Sequence, residues 1–161
     1  MKNNPRNLVT ETSLELFDAA EGDALVVDSL LKDKINVDML NDKICYNLSQ
    51  CAEKFLKGYL IFNNIQVNKT HNLIEVLELA IKHNDIFHNI RNDCLKLNDY
   101  GSELRYGSYE KIEKHEVIDC IKSLKNIYNF EPIKYIREIF IKNKNYRINE
   151  DIKLNDDLTY F

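Results

Sequence analysis

Hydrophobic residues recur along most of this chain at steps of three and four, the spacing of a helix that buries one face. Leu16, Phe17, Ala20, Ala24, Val27 and Leu31 form the first such stripe and predict a helix over 13–32. Thr12 and Glu15 before it have the spacing of a capping box, in which each side chain bonds the other residue's backbone N–H. Residues 1–11 are polar, contain Pro5 and read as a loose arm. The second stripe is the clearest: Leu40, Ile44, Leu48, Cys51, Ala52, Phe55, Leu56, Tyr59 and Leu60 predict a helix over 39–63. It is wide, as befits a helix inside a bundle. Lys43, Asn47, Gln50, Glu53, Lys54 and Lys57 fill its other side, with Glu53 four residues before Lys57, the favourable order for a solvated surface pair.

NNIQVNKT reads as a loop, after which Asn72 and Glu75 repeat the capping-box spacing ahead of Leu73, Val76, Leu77 and Ala80. A short turn at His83-Asn84-Asp85 separates this third helix from a fourth carrying Phe87, Ile90, Cys94 and Leu97. DYGSELRYGS holds two of the four glycines and interrupts the pattern. A fifth helix is expected over 109–130, with Ile112, Val117, Cys120, Ile121, Leu124 and Ile127 inward. Pro132 can open a sixth in the first turn, where its missing N–H is not needed; Ile133, Ile136, Ile139 and Phe140 would form its apolar side. After residue 144, Tyr146, Ile148, Ile152 and Leu154 partly alternate, as in a small hairpin. The pattern therefore predicts an all-α fold, an antiparallel up-down bundle of four to five helices over 13–130, with a C-terminal extension over 131–161.

Composition narrows the function classes. The 161 residues suit one domain, and only four Gly and two Pro disfavour turn-rich β architectures. A net charge of −4, from 22 basic and 26 acidic residues, is not the footprint of a duplex-DNA binder. No run approaches a membrane span, and MKNNPRNLVTETS has no apolar signal core. Cys45, Cys51, Cys94 and Cys120 sit in apolar stripes without a C-x-x-C pair, and read as buried free thiols rather than disulfides or metal ligands. These features point to the cytosol, with no cofactor and no metal. His83 and His88 are five apart and do not share a helix face.

The second helix reads Gln50, Ala52, Glu53, Lys54, Leu56, Lys57 and Leu60, which resembles the Q-x-A-E-K-x-L-K-x-x-L helix of the HEPN family (higher eukaryotes and prokaryotes nucleotide-binding). Thr70, His71 and Leu73 match the family's T-H-x-L segment. Asp23 stands for its upstream acidic residue, and Leu97-Asn98-Asp99-Tyr100 with Arg105-Tyr106 resembles its L-N-x-Y…R-Y segment. Gly107 replaces the proline that usually follows. The resemblance covers 13–130 and leaves out the chain from Glu131 onward. It implies a four- or five-helix bundle and a homodimer. It also implies one of three roles: a bacterial ribonuclease toxin, a partner of a small nucleotidyltransferase, or a non-catalytic nucleotide- or RNA-binding module.

Family ribonucleases place a histidine four to six residues after an arginine, joining a proton shuttle to a phosphate clamp. That spacing is absent. Arg91 is followed by NDCLKLN, and Arg105 precedes His115 by nine intervening residues. No catalytic residue is assigned on this basis. The candidate nucleotide- or phosphate-binding residues are Glu53, Lys57, His71, Arg105 and Tyr106, with Gln50 extending the same polar strip. Each has a plainer reading. Glu53 and Lys57 are a surface ion pair, His71 holds its loop, and Arg105 and Tyr106 pin the loop between helices four and five to Glu53. Asp23 within an apolar helix needs a partner, and Arg105 is a candidate. Three functions stay open: a nucleotide- or RNA-binding accessory protein without nuclease activity, a divergent ribonuclease toxin or defence effector using Arg105 and His115, and a helical protein-interaction module.

Overall fold

The computed structural model describes residues 5–32, 40–101 and 111–144. Six α-helices occupy them: α1 (Pro5–Lys32), α2 (Asn41–Phe62), α3 (Leu73–His83), α4 (Arg91–Gly101), α5 (Lys114–Asn129) and α6 (Glu131–Lys144). Among the described residues there is no strand. A six-residue 3-10 helix, Asp85–Ile90, leads into α4. Its first residues are capped by Asn84, whose side chain accepts from the Ile86 N–H. Phe87 and Ile90, expected inside helix four, are therefore buried from this tighter turn.

The expected stripes are the core. Phe17, Ala20, Ala24 and Val27 of α1 and Ile44, Leu48, Phe55, Leu56 and Leu60 of α2 are buried, as are Val117, Leu124, Ile133 and Phe140. All four cysteines are free and buried. Burial pushes the Cys51 thiol well up from its usual range, reinforced by the negative charges of Glu21 and Asp23. Burial likewise carries Cys94 to about 12. Both stay as inert thiols at neutral pH.

One expectation, at the start of α1, needs correction. Residues 5–11 continue α1 instead of forming an arm, so Thr12 and Glu15 lie within the helix and have no cap to make. Pro5 at the helix start explains why it does not break α1, since its missing N–H is one of those a first turn leaves unused. In α6, Ile133, Ile136 and Phe140 join the same core as α1 and α2. The hairpin expected after residue 144 lies outside the described residues.

α2 is the axis of the bundle; α1, α3, α4, α5 and α6 all pack on it, α1 most extensively. α1 and α2 run antiparallel and approach closely. Ser13 Oγ donates to the Gly58 carbonyl at 2.7 Å, and Cys51 Sγ to the Ala20 carbonyl at 3.2 Å. A Cβ at Gly58 would lie 2.6 Å from Cε2 of the buried Phe17 ring, whereas one at Gly22 would meet nothing within 4 Å. Opposite outcomes follow for one chemical change. Gly58→Ala should destabilise by about 1–3 kcal/mol through overpacking, and Gly22→Ala should stabilise by about 0.5–1 kcal/mol through helix propensity. Denaturant midpoints of the two variants check this, and equal shifts would contradict the packing described.

Candidate functional site

The middle of α2 meets the loop that leads into α3. Glu53 is buried, and its Oε1 accepts from Lys57 Nζ at 2.6 Å across one helical turn. The same ammonium donates to the Thr70 carbonyl at 2.5 Å. Lys57 is thus a tether between α2 and the loop, and its charge is largely covered. The solvated surface pair read from the i,i+4 spacing is instead a partly buried three-way contact.

Thr70 and Asn72 hold the residue between them. Thr70 Oγ1 accepts from the Asn72 N–H at 3.1 Å. The Asn72 side chain accepts from the N–H groups of Ile74 and Glu75, at 2.9 and 3.3 Å. Asn98 of α4 takes the Leu73 N–H at 2.9 Å. The first turn of α3 is therefore fully bonded from within the protein, and its N–H groups are not available to an anion. Any anion contact here must come from side chains.

His71 is an exposed side chain of this loop. It projects from the fixed loop with 81% of its surface exposed, and its Nδ1 lies 3.4 Å from Glu53 Oε1. A charged imidazole is a donor at both ring nitrogens and can meet an anion. Glu53 thus neutralises Lys57 and lies beside His71.

Gln50 lies one turn before Glu53, on the same side of α2. There Gly101 closes α4 against α2; a Cβ at Gly101 would come 2.5 Å from Ser49 Oγ and 3.9 Å from Gln50 Nε2. Arg105 and Tyr106 lie outside the described residues. The chain on either side of them is firmly attached. Tyr100 donates its hydroxyl to Glu116 at 2.8 Å, and Asn41 Nδ2 donates to the Ile112 carbonyl at 2.8 Å. Burial and the bond to Glu116 both raise the Tyr100 phenol above its ordinary range. Glu116 also closes a capping box with Glu113 at the start of α5. His115 is exposed beside it.

Asp23 does have a partner among the described residues, Lys54 of α2. That pairing puts a second neutralised lysine next to the Glu53–Lys57 pair. A further ion pair was not read from the sequence. Arg137 Nε donates to Glu21 Oε1 at 2.8 Å in the buried seam of α1 and α6. The guanidinium also lies 3.1 Å from the centroid of the Tyr128 ring. Burial lowers the Arg137 pKa, opposed by the charge of Glu21. The available signal was a charged residue beside each apolar stripe, Glu21 next to Ala20 and Arg137 next to Ile136. Among the described residues no group of three His, Cys, Asp or Glu side chains is placed to hold a metal ion. No helix among them is long and apolar enough to cross a membrane.

Comparison with family models finds the HEPN domain over residues 29–139. The match begins near the end of α1 and runs into α6, beyond the stretch over which the motifs alone carried the resemblance. Neither the curated proteins nor the solved structures yield a match. The match spans more than half of the chain and agrees with the all-helical bundle, and the chain belongs to the HEPN domain family.

Proposed function

We propose that this protein is a nucleotide- or RNA-binding accessory member of its family, without nuclease activity. It works as a homodimer or beside a small nucleotidyltransferase. The observation that carries the reading is His71: an exposed imidazole, 3.4 Å from a buried carboxylate, on a loop held at both neighbours. Such a group can meet a phosphate without any rearrangement of its support. Arg105 and Tyr106 are proposed to complete the site, the guanidinium on phosphate and the ring against a base. The absent Arg-to-His spacing supports the non-catalytic assignment, and cleavage of single-stranded RNA or tRNA by the purified protein would overturn it.

Thermal unfolding with ATP, GTP, AMP, cyclic nucleotides and short oligoribonucleotides tests the binding. A ligand at about 100 times its Kd stabilises by about 2.7 kcal/mol, a shift of several degrees for a chain this long. His71→Ala and Arg105→Ala should each remove the shift, and His71→Ala should leave the ligand-free midpoint in place, because the ring is exposed. Shifts that survive both substitutions would refute this site. No shift with any ligand would favour the protein-interaction reading, for which Leu25 and Val26, exposed side by side on α1, are the relevant surface.

A further inference from the structure

The polar line on α2 does not stop at Gln50. Tyr46 lies one turn earlier, so Tyr46, Gln50, Glu53 and Lys57 follow at steps of four, three and four along a single helix face. Tyr46 is 40% exposed, in a bundle that buries Phe17, Phe55, Phe87 and Phe140 almost completely. Among the described residues, neither its hydroxyl nor the Gln50 amide has a hydrogen-bond partner. An aromatic face and an amide are thus presented together, in line with His71.

Charge and length decide what such a line can take. Each of the three lysines of α2 faces a carboxylate: Lys43 with Asp42, Lys54 with Asp23 and Lys57 with Glu53. A polyanion draws its affinity from neutralising many phosphates with unpaired cations, and the lysines of α2 do not offer them. The seven steps along the helix from Tyr46 to Glu53 rise about 10 Å. That is the reach of one nucleotide from base to phosphate, and short for a chain of several.

We propose that this face of α2 is a mononucleotide site, with the base stacked on Tyr46, its edge toward Gln50 and its phosphate toward His71. The proposal rests on the nucleotide-binding reading above and narrows its ligand to a single nucleotide. Stacking on a protein aromatic is open to all four bases, because each has a π face.

Calorimetric titration of the full chain with AMP, GMP, CMP and UMP tests it. Tyr46→Ala should weaken the tightest of these on the order of 10- to 100-fold, and Tyr46→Phe, which keeps the ring, should bind like the parent. The ligand-free unfolding midpoint of each variant serves as the folding control. Unchanged affinity in Tyr46→Ala, or equal losses in the alanine and phenylalanine variants, would remove Tyr46 from the site while leaving nucleotide binding standing. A parent protein that binds none of the four, or that binds an oligoribonucleotide far more tightly than any of them, would overturn the single-nucleotide assignment. The first of these results would also weaken the nucleotide reading beneath it.

Discussion

Arg137→Met should lower the stability of the protein by about 3–5 kcal/mol, because it leaves the buried Glu21 carboxylate without its counter-charge. Both side chains are almost wholly enclosed, at 9% and 7% exposure. The guanidinium is also stacked on Tyr128, so the substitution removes a cation–π contact together with the ion pair. Glu21 Oε2 has no hydrogen-bond partner among the described residues, which makes the pair an incompletely satisfied one. Replacing both partners should therefore undo most of the damage. Glu21→Leu with Arg137→Met should return stability to near the parent's value, since the desolvation of two charges is avoided. Urea unfolding of the two single variants and the double measures this cycle. A loss under about 1 kcal/mol in Arg137→Met would show that water or another group meets the Glu21 charge.

Phe55→Ala is the second large effect, with an expected loss of about 3–5 kcal/mol. Phe55 is fully buried at the centre of α2, 5.3 Å from the Phe17 ring of α1 and 5.9 Å from the Tyr128 ring of α5, centroid to centroid. Its removal leaves a void bordered by two other aromatic rings, which are too rigid to collapse into it. Tyr128 touches both Phe55 and Arg137, so the losses from Phe55→Ala and Arg137→Met should not add when combined. Calorimetric unfolding of the single and double variants checks both statements, and strict additivity would mean that Tyr128 does not transmit strain between them.

The helices were legible because their cause is local. A stripe at steps of three and four states which face of a helix is buried, and Phe17, Phe55, Leu77, Leu124 and Phe140 all went where their stripes placed them. Ends were less legible. Thr12 and Glu15 imitate a cap that a helix beginning at Pro5 does not use, and Asp85–Ile90 tightens into a 3-10 turn that periodicity cannot tell from the start of α4. The candidate site divides in the same way. Glu53 and Lys57 share a face by spacing alone, and His71 belongs to a segment whose cap at Asn72 is written in the sequence. The Thr70 carbonyl that Lys57 binds carries no side-chain identity, and no pattern points to it. Asp23 with Lys54 are separated by 31 positions and Glu21 with Arg137 by 116, so their pairing is decided by how whole helices dock.

α2 is touched by every other helix of the described bundle. Every outer helix helps to cover it, so its amides are expected to be among the slowest in the molecule to exchange with solvent. A ligand settling along Tyr46, Gln50 and Glu53 meets a backbone already fixed at the most persistent place in the fold. The entropy lost on binding is then confined to the ligand and a few side chains, and the rest of its contact energy is left for affinity.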